Sequence, residues 1–279
     1  MKFLIILFFA VNLTLLASKK QRPGSQQRII GGSSVNVKDA KYMGSLILLN
    51  NRNIHQRHTL LCGTVIIGMS WTLTAASCLD KVADKLIHFG NVRVRTNTTN
   101  WQDDSRYRKD RRIVDSRKHQ LYRGIQNYYD YNLALIKVED RFDEVYERAI
   151  NLAPDTYHYR TFSTAYVYGW GLVDPDNPAF QPPLMGTDLK ISNFQECQAY
   201  VRNYYGMQIS WRQVCTEPSD EKDFCTGDEG GPLVQDNYAI GLMSWNPQCA
   251  IRGVPSVYTR LSLFNEWIFR TMRELRREG

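Results

Sequence analysis

Residues 223–232 read Asp223-Phe224-Cys225-Thr226-Gly227-Asp228-Glu229-Gly230-Gly231-Pro232, a turn-rich segment that runs into the short apolar stretch Pro232–Val234. Similar stretches recur outward from it on both sides. Before it come Ser45–Leu49, Leu61–Ile67, Trp71–Thr74, Leu86–Phe89, Ile113–Val114, Leu133–Val138, Ala165–Tyr168 and Leu189–Ile191; after it come Ala239–Trp245 and Val257–Thr259. Short β-rich runs at this spacing, divided by turn residues, predict an all-β barrel or sandwich. Only the C-terminus reads as helix, where Leu263, Phe264, Trp267, Ile268, Met272 and Leu275 recur at three- and four-residue steps. No internal repeat is present.

The chain has 279 residues and a formal net charge of +7, with 43% hydrophobic and 23% charged residues, which excludes a disordered chain. Residues 1–28 hold Lys2, Lys19, Lys20, Arg22 and Arg28 and no acid, so the remainder carries only +2. Lys2, the apolar run from Phe3 to Val11 and the exit at Ala17-Ser18 have the pattern of a secretory signal peptide over residues 1–17. Residues 18–28, with Pro23 and Gly24, read as a short exposed linker. No segment has membrane-spanning length. Secretion makes the six Cys (Cys62, Cys78, Cys197, Cys215, Cys225, Cys249) a disulfide framework whose pairing the sequence leaves open among fifteen choices. Their spacings do not resemble zinc ligands. Asn97-Thr98-Thr99 is a glycosylation acceptor. The basic stretch Arg106–Arg112 offers a weak contact for a sulfated glycan or other polyanion, but flanking Asp103, Asp104 and Asp115 favour a solvated loop between strands.

Four separated segments carry a family resemblance. Arg28-Ile29-Ile30-Gly31-Gly32 resembles the activation junction of trypsin-like serine proteases. Trp71–Cys78 resembles the segment that bears the catalytic His, Tyr131–Ile136 the segment that bears the Asp, and Asp223–Pro232 the segment around the nucleophilic Ser. Gly169-Trp170-Gly171, Ser244-Trp245 and Val257–Arg260 are similar to further landmarks, in the family's order. The resemblance covers residues 29 to about 275 and implies two packed antiparallel β-barrels with a C-terminal helix near 262–277, within a domain of 29–279. The changeover between barrels falls near 145–160. It also implies the disulfides Cys62–Cys78, Cys197–Cys215 and Cys225–Cys249.

The working positions depart from the pattern. Acyl transfer needs a hydroxyl nucleophile, an imidazole that takes its proton and a carboxylate that orients the imidazole. The matching positions here are Ser77 for His, Asn132 for Asp and Glu229 for Ser. A hydroxyl cannot serve as general base, an amide carries no charge, and a carboxylate would occupy the place where an oxyanion must develop. Asp130 is two residues from Asn132, too far to replace it, and His119 reads as a structural histidine. Asp223 matches the acid at the base of a trypsin-type specificity pocket. Asn246 and Ser256 stand where the walls are usually Gly, and Phe224 narrows the floor, so the pocket is expected to be occluded. The resemblance retains Arg28 and Ile29 as a cleavage junction, Asp228 as partner for the freed Ile29 ammonium, and Gly227 in the oxyanion loop.

The expectation is therefore a secreted, non-catalytic homologue that binds proteins as cofactor, decoy or regulator in a proteolytic cascade. An active trypsin-like protease or its substrate is among the expected partners. The alternatives are residual or altered hydrolysis through Glu229 with Ser77, and a glycan- or polyanion-binding secreted protein. No cofactor, metal or nucleic acid is expected, Asp103 and Asp104 being too few ligands for calcium, and the protein is expected to be a monomer.

Overall fold

The computed structural model describes residues 32–49, 58–102, 108–171, 183–217, 222–246 and 254–278. Arg28, Ile29, Asp103, Asp104, Arg106, Tyr107 and Cys249 lie outside them, with the readings that rest on those residues. After β1 (Ser33–Ser34), the strands β2 (Met43–Leu49), β3 (His58–Gly68), β4 (Trp71–Thr74), β5 (Val92–Thr96), β6 (Lys109–Lys118) and β7 (Ala134–Val138) close a barrel in the order β2-β3-β4-β7-β6-β5.

A second sheet follows, with β8 (Asn151–Leu152), β9 (Thr164–Gly169), β10 (Met185–Lys190), β11 (Gln213–Thr216), β12 (Pro232–Gln235), β13 (Tyr238–Trp245) and β14 (Ser256–Arg260). Its order is β1-β10-β9-β12-β13-β14-β11, and a bridge between Ile191 and Thr216 brings the end of β10 back to β11. The architecture is the all-β pair of barrels, with α1 (Ala76–Asp80), α2 (Asp84–His88), α3 (Phe194–Tyr205) and the C-terminal α4 (Asn265–Glu278).

Strand β7 explains how the halves join. Ala134, Ile136 and Val138 point into the first barrel, while Leu133 and Leu135 point the other way, into a cluster with Leu242, Ile268 and Leu275. A strand buried on both faces reads as a continuous apolar run, as this one does. The apolar stripe of α4 (Trp267, Ile268, Met272, Leu275) fills the same inter-barrel cluster, so the last helix seals the joint between barrels.

The structure corrects several sequence readings. Residues Leu86–Phe89, read as strand, fall largely in α2, because a four-residue apolar run does not by itself distinguish strand from helix. Helix α3 has no counterpart among the elements expected from the sequence. Asn193 caps it by accepting from the N–H of Gln195 and Glu196, and Gly206 ends it in the left-handed region.

Strands β5 and β11 were hidden by buried polar residues, Arg95 (0% exposed) and Gln213 (2%). Residues 109–112, read as part of a solvated loop, are the start of β6. Arg111 turns inward and makes a buried bidentate pair with Glu147, with both bonds 2.6 Å, so it is unavailable to any polyanion. Cys62–Cys78 and Cys197–Cys215 are bridged, and Cys225 is also in a disulfide. Asn97 is half-buried in the left-handed region, and the Thr99 hydroxyl of its acceptor triplet takes the Val37 N–H.

Candidate functional site

Three loops bring the substituted positions together. Ser77 is the second residue of α1, directly after β4 and beside the bridged Cys78. Asn132 precedes β7 in a loop where Tyr128, Tyr129 and Tyr131 all adopt positive φ, between 55° and 58°. Left-handed backbone at three bulky residues is costly, of order 1–3 kcal/mol each, and persists only where surroundings fix it. Here Asp130 pairs with Arg212 (Nε–Oδ2 3.0 Å) and accepts the Ser210 hydroxyl, while Arg212 stacks on the Tyr131 ring at 4.5 Å. Asp130 is thus committed to holding the loop and is turned away from any role beside Asn132.

Asn132 is fully buried and its amide is satisfied. Its Oδ1 accepts the Ser77 N–H at 2.9 Å, and its Nδ2 donates to Ser77 Oγ at 3.2 Å and to Ser244 Oγ at 2.9 Å. Both hydroxyls therefore accept where a carboxylate would have received their protons. Tyr122 hydrogen-bonds to Ser77 and Asp80, and burial, then the Asp80 charge, push its phenol well above its ordinary range.

His119 stands apart from it, stacked on Tyr131 (4.7 Å) and tilted on Trp267 (4.9 Å), with Nδ1 accepting the Leu121 N–H. Burial, then the Arg270 charge, hold its imidazole down to about 4, so it is neutral packing.

Glu229 occupies the turn between Cys225 and β12. Its Oε2 accepts the Gly227 N–H at 2.7 Å and the Lys81 ammonium at 3.2 Å, and Lys81 also donates to the Leu61 carbonyl. The carboxylate thus sits on a donor that the resemblance assigns to the oxyanion loop. Gly227 reaches this arrangement with φ at 100°, a conformation that glycine adopts readily.

Asp228 points the other way and is wholly buried. Its Oδ1 accepts the Gly171 N–H at 2.7 Å and its Oδ2 the Cys225 N–H at 3.0 Å. A Cβ at Gly169 or Gly171 would overlap its carboxylate, which is why Gly-Trp-Gly frames it. Among the described residues no cation reaches it. Burial raises its carboxyl to about 7 against the pull of the two N–H groups, with Glu229 and Asp223 adding to the rise.

Asp223 is 4% exposed and ringed by its neighbours. Asn246 Nδ2 donates to its Oδ2, Ser256 Oγ and the Phe224 N–H donate to its Oδ1, and Asn246 also donates to Ser256 Oγ at 2.9 Å. Phe224 is buried edge-on to Tyr258 in the core of the second barrel. Three donors thus engage the acid from inside, and the Asn246 and Ser256 side chains stand where an incoming amidine would have to reach it. Benzamidine at millimolar concentration is therefore expected to leave the thermal midpoint unchanged. A ligand at ten times its Kd would add about 1.4 kcal/mol, a shift of several degrees for a chain of this size. Such a shift would show the pocket to be open.

Sequence reasoning missed Lys81 as partner of Glu229 and Ser244 as partner of Asn132. Ser244 was visible as part of a landmark, but its bond spans 112 positions. Lys81 carries no sequence signal, since only the fold places the end of α1 beside residue 229.

The family description Trypsin matches residues 29–268. Trypsin epsilon of Drosophila erecta is 29% identical over 254 residues, covering 91% of this chain and 91% of that protein. Duodenase-1 of Bos taurus is 29% identical over 277 residues, covering 96% of this chain and 99% of that protein. Among solved structures, neuropsin, a serine protease expressed in the limbic system of mouse brain, aligns with a TM-score of 0.70 at 26% identity. That alignment covers 86% of this chain and 98% of that one.

Proposed function

Because this chain belongs to the trypsin-like serine protease family, we propose that it keeps the family's fold without its chemistry. It is a secreted, non-catalytic homologue acting by protein binding, as cofactor, decoy or regulator in a proteolytic cascade. The observation that carries this reading is the Glu229 carboxylate hydrogen-bonded to the Gly227 N–H. A tetrahedral intermediate needs that donor for its own negative charge, and a resident carboxylate both blocks and repels it. The hydroxyl at Ser77 and the donating amide at Asn132 add the absence of a base and of its orienting charge. Loss of a whole triad costs on the order of 10⁶ in kcat in a comparable enzyme class, roughly 8 kcal/mol of barrier.

The leader pattern and the two bridged cysteine pairs support secretion. The framed Asp228 supports a retained switch: cleavage after Arg28 would free an ammonium able to neutralise it. An active trypsin-like protease, or the substrate of one, fits as partner of the cleft surface.

The test is to cleave the chain after Arg28, treat it with a serine-reactive fluorophosphonate probe, and pull down proteins from the same preparation. No labelling is expected, and Arg28→Gln should weaken whatever partner binding cleavage creates. Labelling of any cleft serine would overturn the non-catalytic reading.

A further inference from the structure

The outer face of the first barrel carries a charge arrangement that the fold does not need. Along the β5–β6 ladder, Arg95 faces Asp110, and their bidentate bonds are both 2.7 Å. The neighbouring pair on the same face is Arg93 opposite Arg112. Like charges directly opposite each other destabilise a ladder. Among the described residues neither guanidinium has a carboxylate partner, and Arg112 donates only to the His88 carbonyl, at 3.2 Å. Both turn toward Gly90, where a Cβ would lie 3.3 Å from Arg93 Nη2 and 3.4 Å from Arg112 Nε. Two guanidiniums converging without an anion form a receptor for carboxylates.

An apolar feature adjoins them. A groove of roughly 720 Å³ runs between α2 and β6, starting at His88 and Arg112 and floored by Leu79, Ile87 and Ile113. Val114, the extra residue of a bulge in β6, stands on its rim 49% exposed, and Phe89, which precedes Gly90 in the chain, is 72% exposed. Elsewhere along the groove Arg117 pairs with Glu278 and Lys118 with Asp80, which leaves Asp84 and Asp115 as its net charge and steers a peptide's carboxylates to the arginine end. The uncompensated positive charge is therefore concentrated at the Arg93–Arg112 end.

We propose that this face docks an acidic peptide segment of a protein partner, its carboxylates on Arg93 and Arg112 and an apolar side chain in the groove against Val114. A sulfated glycan would satisfy the guanidiniums but would bring nothing to bury. The surface uses none of the cleft residues, so peptide binding and hydrolysis are measured separately, and failure of one leaves the other standing.

The experiment is fluorescence anisotropy on the whole chain with a labelled peptide of Glu-Glu-Leu repeats. A Gln-Gln-Leu peptide and a heparin oligosaccharide serve as comparisons. Saturable, salt-sensitive binding of the acidic peptide is expected. Arg93→Gln with Arg112→Gln should weaken it by about tenfold or more, and Val114→Gln by several-fold, with cooperative thermal unfolding retained in both variants as the check on folding. No binding by the wild type, equal binding of the Gln peptide, or equal binding by the arginine double variant would each overturn the proposal. So would tighter heparin binding that ignores Val114→Gln, which would reassign the face to glycan.

Discussion

Ser77→His, Asn132→Asp and Glu229→Ser introduced together are expected to make the cleft react with a fluorophosphonate. The backbone around each position already serves the missing group. Asn132 Oδ1 accepts the Ser77 N–H and its amide touches Ser244 Oγ, so a carboxylate there would inherit a donor on each side. Removing the Glu229 carboxylate returns the Gly227 N–H to the cleft. The gain expected from assembling all three is on the order of 10⁶, and Glu229→Ser alone should stay inert because its hydroxyl would have no base. Labelling is read on gels for both the uncut chain and the chain cleaved after Arg28, with thermal unfolding as the check on folding. A folded triple variant that stays unlabelled in both forms would show that more than three side chains is missing. Hydrolysis after Arg or Lys should additionally require Asn246→Gly and Ser256→Gly, since Asp223 is engaged by both side chains.

Asp228→Asn is expected to change how stability depends on pH. The buried carboxyl is raised to about 7 from an ordinary 3.8, so the unfolded chain loses this proton at lower pH than the folded chain does. Below about pH 4 both states hold it and burial carries no penalty. Between about 4 and 7 stability falls as pH rises, by about 4 kcal/mol in all, and above 7 the full penalty persists. His119 acts in the opposite sense over much of the same window. Held down to about 4, it makes stability fall as pH drops from 6.5. The readout is therefore the difference between variant and wild-type midpoints at matched pH.

That difference should shift in favour of the Asn variant from pH 4 to pH 7, whatever constant offset the weaker acceptor at Cys225 introduces. In the chain cleaved after Arg28 the trend should shrink or vanish, because an ammonium beside Asp228 lowers its carboxyl again. A flat difference in the uncut chain would mean that the carboxylate is solvated. An unchanged trend after cleavage would remove the switch.

The sequence made the barrels legible wherever side chains obeyed simple burial. Trp71–Thr74 is read to the residue, and β7, β12, β13 and β14 to within one or two. It failed where polar groups are buried. Arg95 and Arg111 masked β5 and the start of β6, because a buried arginine needs a carboxylate from elsewhere in the chain, Asp110 in one case and Glu147 in the other. The three substituted positions were located because they lie inside contiguous motifs. Their new partners were not, because Lys81 and Glu229 stand 148 positions apart and meet only through the fold. Glu229 could be named as a poor nucleophile from the sequence. That it would seat itself on Gly227 could not.

That seat has a consequence for the company this protein keeps. Inhibitors of serine proteases that work by lodging a carbonyl oxygen against oxyanion-loop donors meet a place already taken by a tethered carboxylate, present at high effective concentration. On the proposed reading of a secreted, non-catalytic homologue, such inhibitors would not be consumed by this chain. The internal plug would then separate two populations that share one shape: proteases that are held in check by inhibitors, and a homologue that escapes them.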